Sequence, residues 1–168
     1  NILKKTDGIF WEELENCQKE FPNMELEEIY IDNMSQQLVI NPEQFNNSVL
    51  LSTNLFMDII SELASGIVGS IGLIYSANMG DSFAMFEAAH GSAPSIAGQN
   101  KANPTASILA GAWMAEYLGE SDIKNAIFSA TEQVINENKA TTSDIGGSAG
   151  TTQMTDAIVV YAKQKLRR

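Results

Sequence analysis

The stretch "FEAAHGSAPSIAGQNKANPTA", Phe86 to Ala106, holds the chain's single histidine, His90, with two of its four prolines and two of its twelve glycines. Gly91 and Gly98 allow backbone conformations that a Cβ disfavours. Small side chains at Ser92, Ala93, Ser95 and Ala97 let a ligand approach the main chain. Asn103 is a good N-cap and Pro104 a good first helical residue, so the stretch ends by opening a helix over "PTASILAGAWMAEYLG" that stops at Gly119. A small-residue loop that runs into a helix N-terminus suits a flat ligand such as an adenine ring. It is not a GxGxxG turn, so a Rossmann phosphate cradle is not indicated. A plain interdomain loop with a satisfied histidine explains the same residues and, on residue chemistry alone, explains them better.

Outward from this loop the chain alternates helices and strands, which favours an α/β layout. "FAMFEAA" reads as the strand that leads into the loop, and glycine-rich "VGSIGLI" marks a domain boundary at about Gly69. Upstream, "DGIFWEELENCQKEFP" reads as a helix with Trp11, Leu14 and Phe21 on one stripe and Pro22 at its end. "LEEIYID" is expected to be a short strand, "QQLVINPEQF" a helix and a turn, and "NSVLLST" a buried strand. "NLFMDIISELASGI" is expected to be a helix from Asn54. Downstream, Ser121 is expected to cap a helix with Ile123, Ile127, Ala130 and Val134 inward. "TTSDIGGSAGTT" reads as a flexible loop. The last helix opens at Thr151 or Thr152 and buries Ala157, Ile158 and Tyr161.

Composition narrows the function. With 168 residues and a net charge of −11, the chain repels phosphate backbones, which speaks against nucleic acid as a partner. An anionic small substrate would need a local cation. No apolar run reaches the length of a membrane span, and no signal-peptide pattern follows Asn1, so a trimmed or partial chain is expected. Basic residues gather in "YAKQKLRR", where positive charge suits a helix C-terminus. Cys17, the only cysteine, suits a reducing compartment and shares helical spacing with Trp11, Leu14 and Phe21; a core thiol is expected. Asp58 and Glu62 stand four apart on one expected helix, a spacing that lets carboxylates share a divalent cation or simply lie solvated. Asp32 is read as ending a strand. Alone, none of these signals is specific.

Together, the order "IDN…QQLV…NPEQF…TNLF.DI.S…G..GS.GL..SAN.GD…FEA.HGSAP.IAG…ANPTA" resembles the isocitrate and isopropylmalate dehydrogenase family over nearly the whole chain. The resemblance implies an α/β, two-domain fold of which this is the second half. Residues 1–69 would be part of a small, dimer-forming domain and 70–168 part of the large domain. It implies metal-dependent oxidative decarboxylation of a β-hydroxy acid, isocitrate first, with NAD and Mg²⁺ or Mn²⁺. Asp58 and Glu62 would face the metal from one protomer and Asp32 from the other, in a homodimer or hetero-oligomer. The cofactor would meet Glu87, His90 and the loop Gly91, Ser92, Ala93, Pro94, Ser95, Ile96, Ala97 and Gly98. Asn103 would bond the adenine, and Asp144 would approach the adenosine ribose. The family's catalytic lysine and tyrosine, and its substrate arginines, would lie before Asn1. The setting would be bacterial cytoplasm or mitochondrial matrix.

The resemblance implies NAD rather than NADP at Ser95-Ile96: NAD-using relatives generally carry Asp-Ile and NADP-using ones often Lys-Tyr, and this chain has the isoleucine without the acid and no cation at these two positions, although Lys101 follows nearby. Two departures stand out. Met57 takes a position that is usually glycine, and Glu62 one that is usually aspartate. They motivate a rival: a regulatory, catalytically weak member of a hetero-oligomeric isocitrate dehydrogenase. 3-Isopropylmalate dehydrogenase and a stand-alone nucleotide-binding module are further alternatives.

Overall fold

A computed structural model describes residues 3–167. They form two compact units that divide between Ile67 and Val68. The whole is mixed α/β and rich in helix.

In the first unit, α1 spans Lys4–Glu20, α2 Ile31–Ile40 and α3 Asn54–Val68. Its core is small. Met34 and Leu38 of α2 meet Ile60 of α3, with Ile29, Ile31, Phe45 and Leu63 packed around them. The i, i+4 spacing of Met34 and Leu38 gives α2 its inner stripe. Helix α1 buries no residue, and Cys17 is exposed, which corrects the expectation of a core thiol. Its stripe is only half covered among the described residues, and Phe21 stands 58% exposed.

Two expected strands are absent. Residues 26–30 run without regular structure, and helix α2 starts one residue before Asp32. Asp32 therefore occupies a first helical turn, where a carboxylate suits the dipole, and does not end a strand. "NSVLLST" is likewise irregular, and Val49 is 78% exposed. Its β-branched and apolar composition is that of a strand, but a strand exists only by pairing. The single ladder among the described residues lies in the other unit.

That ladder is a hairpin of β1, Tyr75–Met79, and β2, Ala84–Ala88, antiparallel with Tyr75 opposite Ala88 and Met79 opposite Ala84. The Gly80 N–H donates to the Phe83 carbonyl at 2.9 Å and closes the turn. In β2, half-buried Ala84, Phe86 and Ala88 alternate with exposed Met85 and Glu87. Helix α4, Thr105–Tyr117, covers the hairpin. Trp113 meets Tyr75 and Phe86 edge-on, both at 5.8 Å between ring centroids, a favoured aromatic geometry. Ala106, Ala110 and Ala112 let α4 pack closely, so it is apolar on several sides.

Helices α5, Ser121–Glu137, and α6, Thr151–Leu166, complete the unit. Ala130 and Val134 pack on Met154, Ile158 and Ala162 to form its core, with Ile127, Ala157 and Tyr161 at the edge. Ile123 is more exposed than expected, and Ser121 makes no capping bond; Glu120 holds the cap position. The stretch "TTSDIGGSAGTT" is pinned, which corrects the reading of it as flexible. Thr141 and Thr142 are fully buried, and a single 3₁₀ turn follows at Ser143–Ile145. Gly147 lies so close to Thr141 that a Cβ there would fall 2.0 Å from its carbonyl oxygen.

Candidate functional site

Strand β2 delivers the loop. Glu87 is exposed on it and accepts a 3.1 Å hydrogen bond from Asn78 Nδ2 of β1. Two residues past the strand, half-buried His90 places Nδ1 3.0 Å from the Gly91 carbonyl oxygen. A carbonyl only accepts, so the proton of a neutral ring sits on Nδ1 and leaves Nε2 an acceptor. Gly91 through Ser95 are exposed. Ala93 turns left-handed (φ 42°, ψ 63°) and opens the 3₁₀ turn Pro94–Ile96. Gly98, at φ 73°, provides the second left-handed turn, where glycine costs nothing. Ser95 and Ala97 are exposed and Ile96 half-buried; Gln99 Nε2 braces Ser95 by donating to its carbonyl at 2.8 Å. The Pro94–Ile96 turn carries no charged side chain.

The far end of the loop is tied down. Asn100, left-handed at φ 57°, accepts from the Thr151 N–H at its carbonyl (2.9 Å) and from the Thr152 N–H at Oδ1 (3.0 Å). Thr152 Oγ1 donates to the same Oδ1 at 2.9 Å. Asn100 thus caps α6 from a distance in sequence, satisfying N–H groups that a helix start leaves orphaned. Thr151 Oγ1 donates to the Ala102 carbonyl.

Asn103 is buried, and its Oδ1 accepts from the Thr105 N–H at 3.0 Å. It does the capping expected of it, while the helix itself starts at Thr105 and Pro104 takes the cap position. Asn103 Nδ2 donates to Asp144 Oδ2 at 3.0 Å, and Ser70 Oγ donates to the same oxygen at 2.5 Å. Burial pushes the Asp144 carboxyl up, but hydrogen bonds from Ser70, Thr142 and Asn103 outweigh it and hold the group below its ordinary value. The structure thus joins two expected cofactor residues, Asn103 and Asp144, directly. Ser70 and Asn100 escaped the sequence reading, and Thr151 and Thr152 were read only as the start of the last helix, without their tie to Asn100. Asn100 and the two threonines offered one clue, since asparagine tolerates a left-handed turn and threonine favours helix starts.

The expected metal residues lie in the first unit. Asp58 and Glu62 are exposed, one turn apart on α3, and neither carboxylate engages a described side chain. Asp32 is exposed on α2, and its Oδ1 accepts from the Asn33 N–H at 2.8 Å. Hard carboxylate oxygens suit Mg²⁺ or Mn²⁺. Among the described residues, however, no group of three potential ligands gathers within the chain. Met57 is half-buried beside Asp58.

A hairpin that feeds a small-residue loop, which then crosses to a helix start, sets the chain in the mixed α/β class. The chain belongs to the isocitrate/isopropylmalate dehydrogenase family, whose model matches residues 1–158. It is 45% identical to the isocitrate/homoisocitrate dehydrogenase of Thermus thermophilus over 97% of its own length and 48% of that protein's. It is 39% identical to a regulatory subunit of the mitochondrial NAD isocitrate dehydrogenase of Dictyostelium discoideum, over 100% of its own length and 47% of that protein's. The crystal structure of isocitrate dehydrogenase from Methylococcus capsulatus superposes with a TM-score of 0.91 at 45% identity, over 98% of this chain and 48% of that one. The chain spans about half the length of the curated relatives it matches. No helix of the described residues is long and apolar enough to cross a membrane.

Proposed function

We propose that this chain supplies the cofactor loop and two metal-facing carboxylates of an NAD-dependent isocitrate dehydrogenase, as the second half of its subunit. One observation carries the reading: a loop of small residues leaves β2 at His90, turns left-handed at Ala93 and Gly98, and is fastened at Asn100 and Asn103. The reaction is the oxidative decarboxylation of isocitrate to 2-oxoglutarate, in bacterial cytoplasm or mitochondrial matrix. Residues 1–69 are the small, dimer-forming domain's share and 70–168 the large domain's.

When bound, the divalent cation supplies Lewis acidity at the substrate hydroxyl and its neighbouring carboxylate, and NAD supplies the hydride acceptor. Asp58 and Glu62 present carboxylate oxygens to that cation from α3, and Asp32 of a second protomer completes the set. This fits the exposed, unpaired state of both α3 carboxylates. His90 lies against the adenosine, with Gly91 to Gly98 wrapped around it. Asn103 bonds the adenine edge, and Glu87 stands near the nicotinamide ribose. NAD is favoured because the Pro94–Ile96 turn offers no cation to a 2′-phosphate.

The test is to purify the full-length protein containing this segment, as its own oligomer. It is assayed with isocitrate, Mn²⁺ and NAD, with NADP and 3-isopropylmalate as competitors. Turnover of isocitrate with NAD is expected; failure with every substrate sinks the catalytic reading. The half-buried Met57, the longer Glu62 and the Dictyostelium relative favour one second reading, a regulatory role within a hetero-oligomer. That reading predicts activity only when a catalytic partner is added.

A further inference from the structure

We propose that Asp144 is a positioning residue for Asn103. Its carboxylate, anchored by Ser70, fixes which way the Asn103 carboxamide faces and so which hydrogen-bonding edge is offered to an adenine base. The inference rests on the proposed reading that Asn103 meets the adenine.

The two ends of a carboxamide have nearly the same shape, so its neighbours decide its orientation. At Asn103 both neighbours vote the same way. The Thr105 N–H requires an acceptor and finds Oδ1 at 3.0 Å, while the Asp144 carboxylate requires a donor and finds Nδ2 at 3.0 Å. A flipped carboxamide would set oxygen against carboxylate and NH₂ against N–H. Asp144 is itself steered. The Gly72 N–H donates to Ser70 Oγ at 3.0 Å, which turns that hydroxyl's own proton toward Asp144 Oδ2. Gly72 also lies against Asn103, where a Cβ would fall 2.7 Å from the asparagine Cβ.

The accounting leaves Asn103 one unused N–H and one unused lone pair. One donor beside one acceptor matches an adenine edge, which offers an amine next to a ring nitrogen. Asp144 remains ionised at neutral pH because the hydrogen bonds it receives outweigh its partial burial.

The experiment uses the full-length protein and measures binding of NAD and of AMP by titration calorimetry, alongside KM and kcat. Asp144→Ala is expected to weaken both nucleotides about tenfold, which is about 1.4 kcal/mol of binding free energy. KM for isocitrate should stay unchanged. Asp144→Asn, whose amide oxygen can still accept, should recover part of the loss. The deciding variant is Asp144→Ala combined with Asn103→Ala, which should bind no worse than Asn103→Ala alone. Additive losses, or no change in AMP affinity on Asp144→Ala, overturn the inference while leaving the proposed function standing. If the unaltered protein binds neither nucleotide, both fall. Should Asp144→Ala unfold, Ser70→Ala keeps the carboxylate but frees its anchor; a two- to threefold loss, again absent in an Asn103→Ala background, is expected.

Discussion

Gly147 carries a constraint that its neighbours do not. A methyl group there would sit 2.0 Å from the Thr141 carbonyl oxygen, and that backbone is locked by two buried threonines. Gly147→Ala must therefore move main chain, and overpacking of this kind costs about 1–3 kcal/mol or more. Thermal unfolding of the full-length protein should show the loss, whereas Gly146→Ala should act through its positive φ of 85° alone. Asp144 gives a second residue-scale expectation. Its folded carboxyl titrates below its unfolded one, so its contribution is complete above the unfolded value and disappears as pH falls through the lowered folded value. Denaturation midpoints followed downward through the acid range should thus converge for the parent and Asp144→Asn. A gap that widens on acidification would reverse the sign argued here.

At the scale of elements, the aromatic contact between α4 and the hairpin is the joint that sets the loop's origin. Trp113→Ala removes two edge-on ring contacts from a half-buried site and should cost roughly 2–4 kcal/mol, less than a fully buried tryptophan would. Because β2 feeds the loop, NAD affinity should fall with it; Phe128→Ala, which removes a ring contact to Tyr75 of β1, should spare that affinity better. Helices α5 and α6 were legible in the sequence because each buries one stripe, α4 because an Asn-Pro step opens it, and β2 because it alternates. Strand β1 was not, although Gly80 and Asp81 between two short runs form a usable hairpin signal. "LEEIYID" and "NSVLLST" failed for the opposite reason. Their composition describes a wish to pair, and pairing depends on residues that local sequence does not contain. The loop and Asn103 were readable from small residues and the Asn-Pro step. The ties of Asn100 and Asp144 were not, since each joins residues more than forty positions apart.

For the molecule as a whole, apolar surface remains to be covered. Leu55 and Ile59 share a face of α3 and are 67% and 50% exposed, while Ile60 on the same helix turns into the core. Isolated exposed leucines need no explanation, but a continuous face does. If residues 1–69 are the dimer-forming share, Leu55→Asp together with Ile59→Asp should halve the mass of the full-length oligomer in light scattering and abolish turnover, with its far-ultraviolet spectrum kept. An unaltered mass would remove α3 from the interface.

The two fastenings of the loop also act as a ruler. Asn100 is bonded to Thr152 and Asn103 to Asp144, so the span between the two asparagines is measured against two fixed points elsewhere in the unit. Inserting or deleting a single residue there would force one fastening to let go, whereas the exposed run from Gly91 to Ser95 has slack to absorb such a change. Length, more than chemical identity, is the property that natural variation should preserve between those two positions.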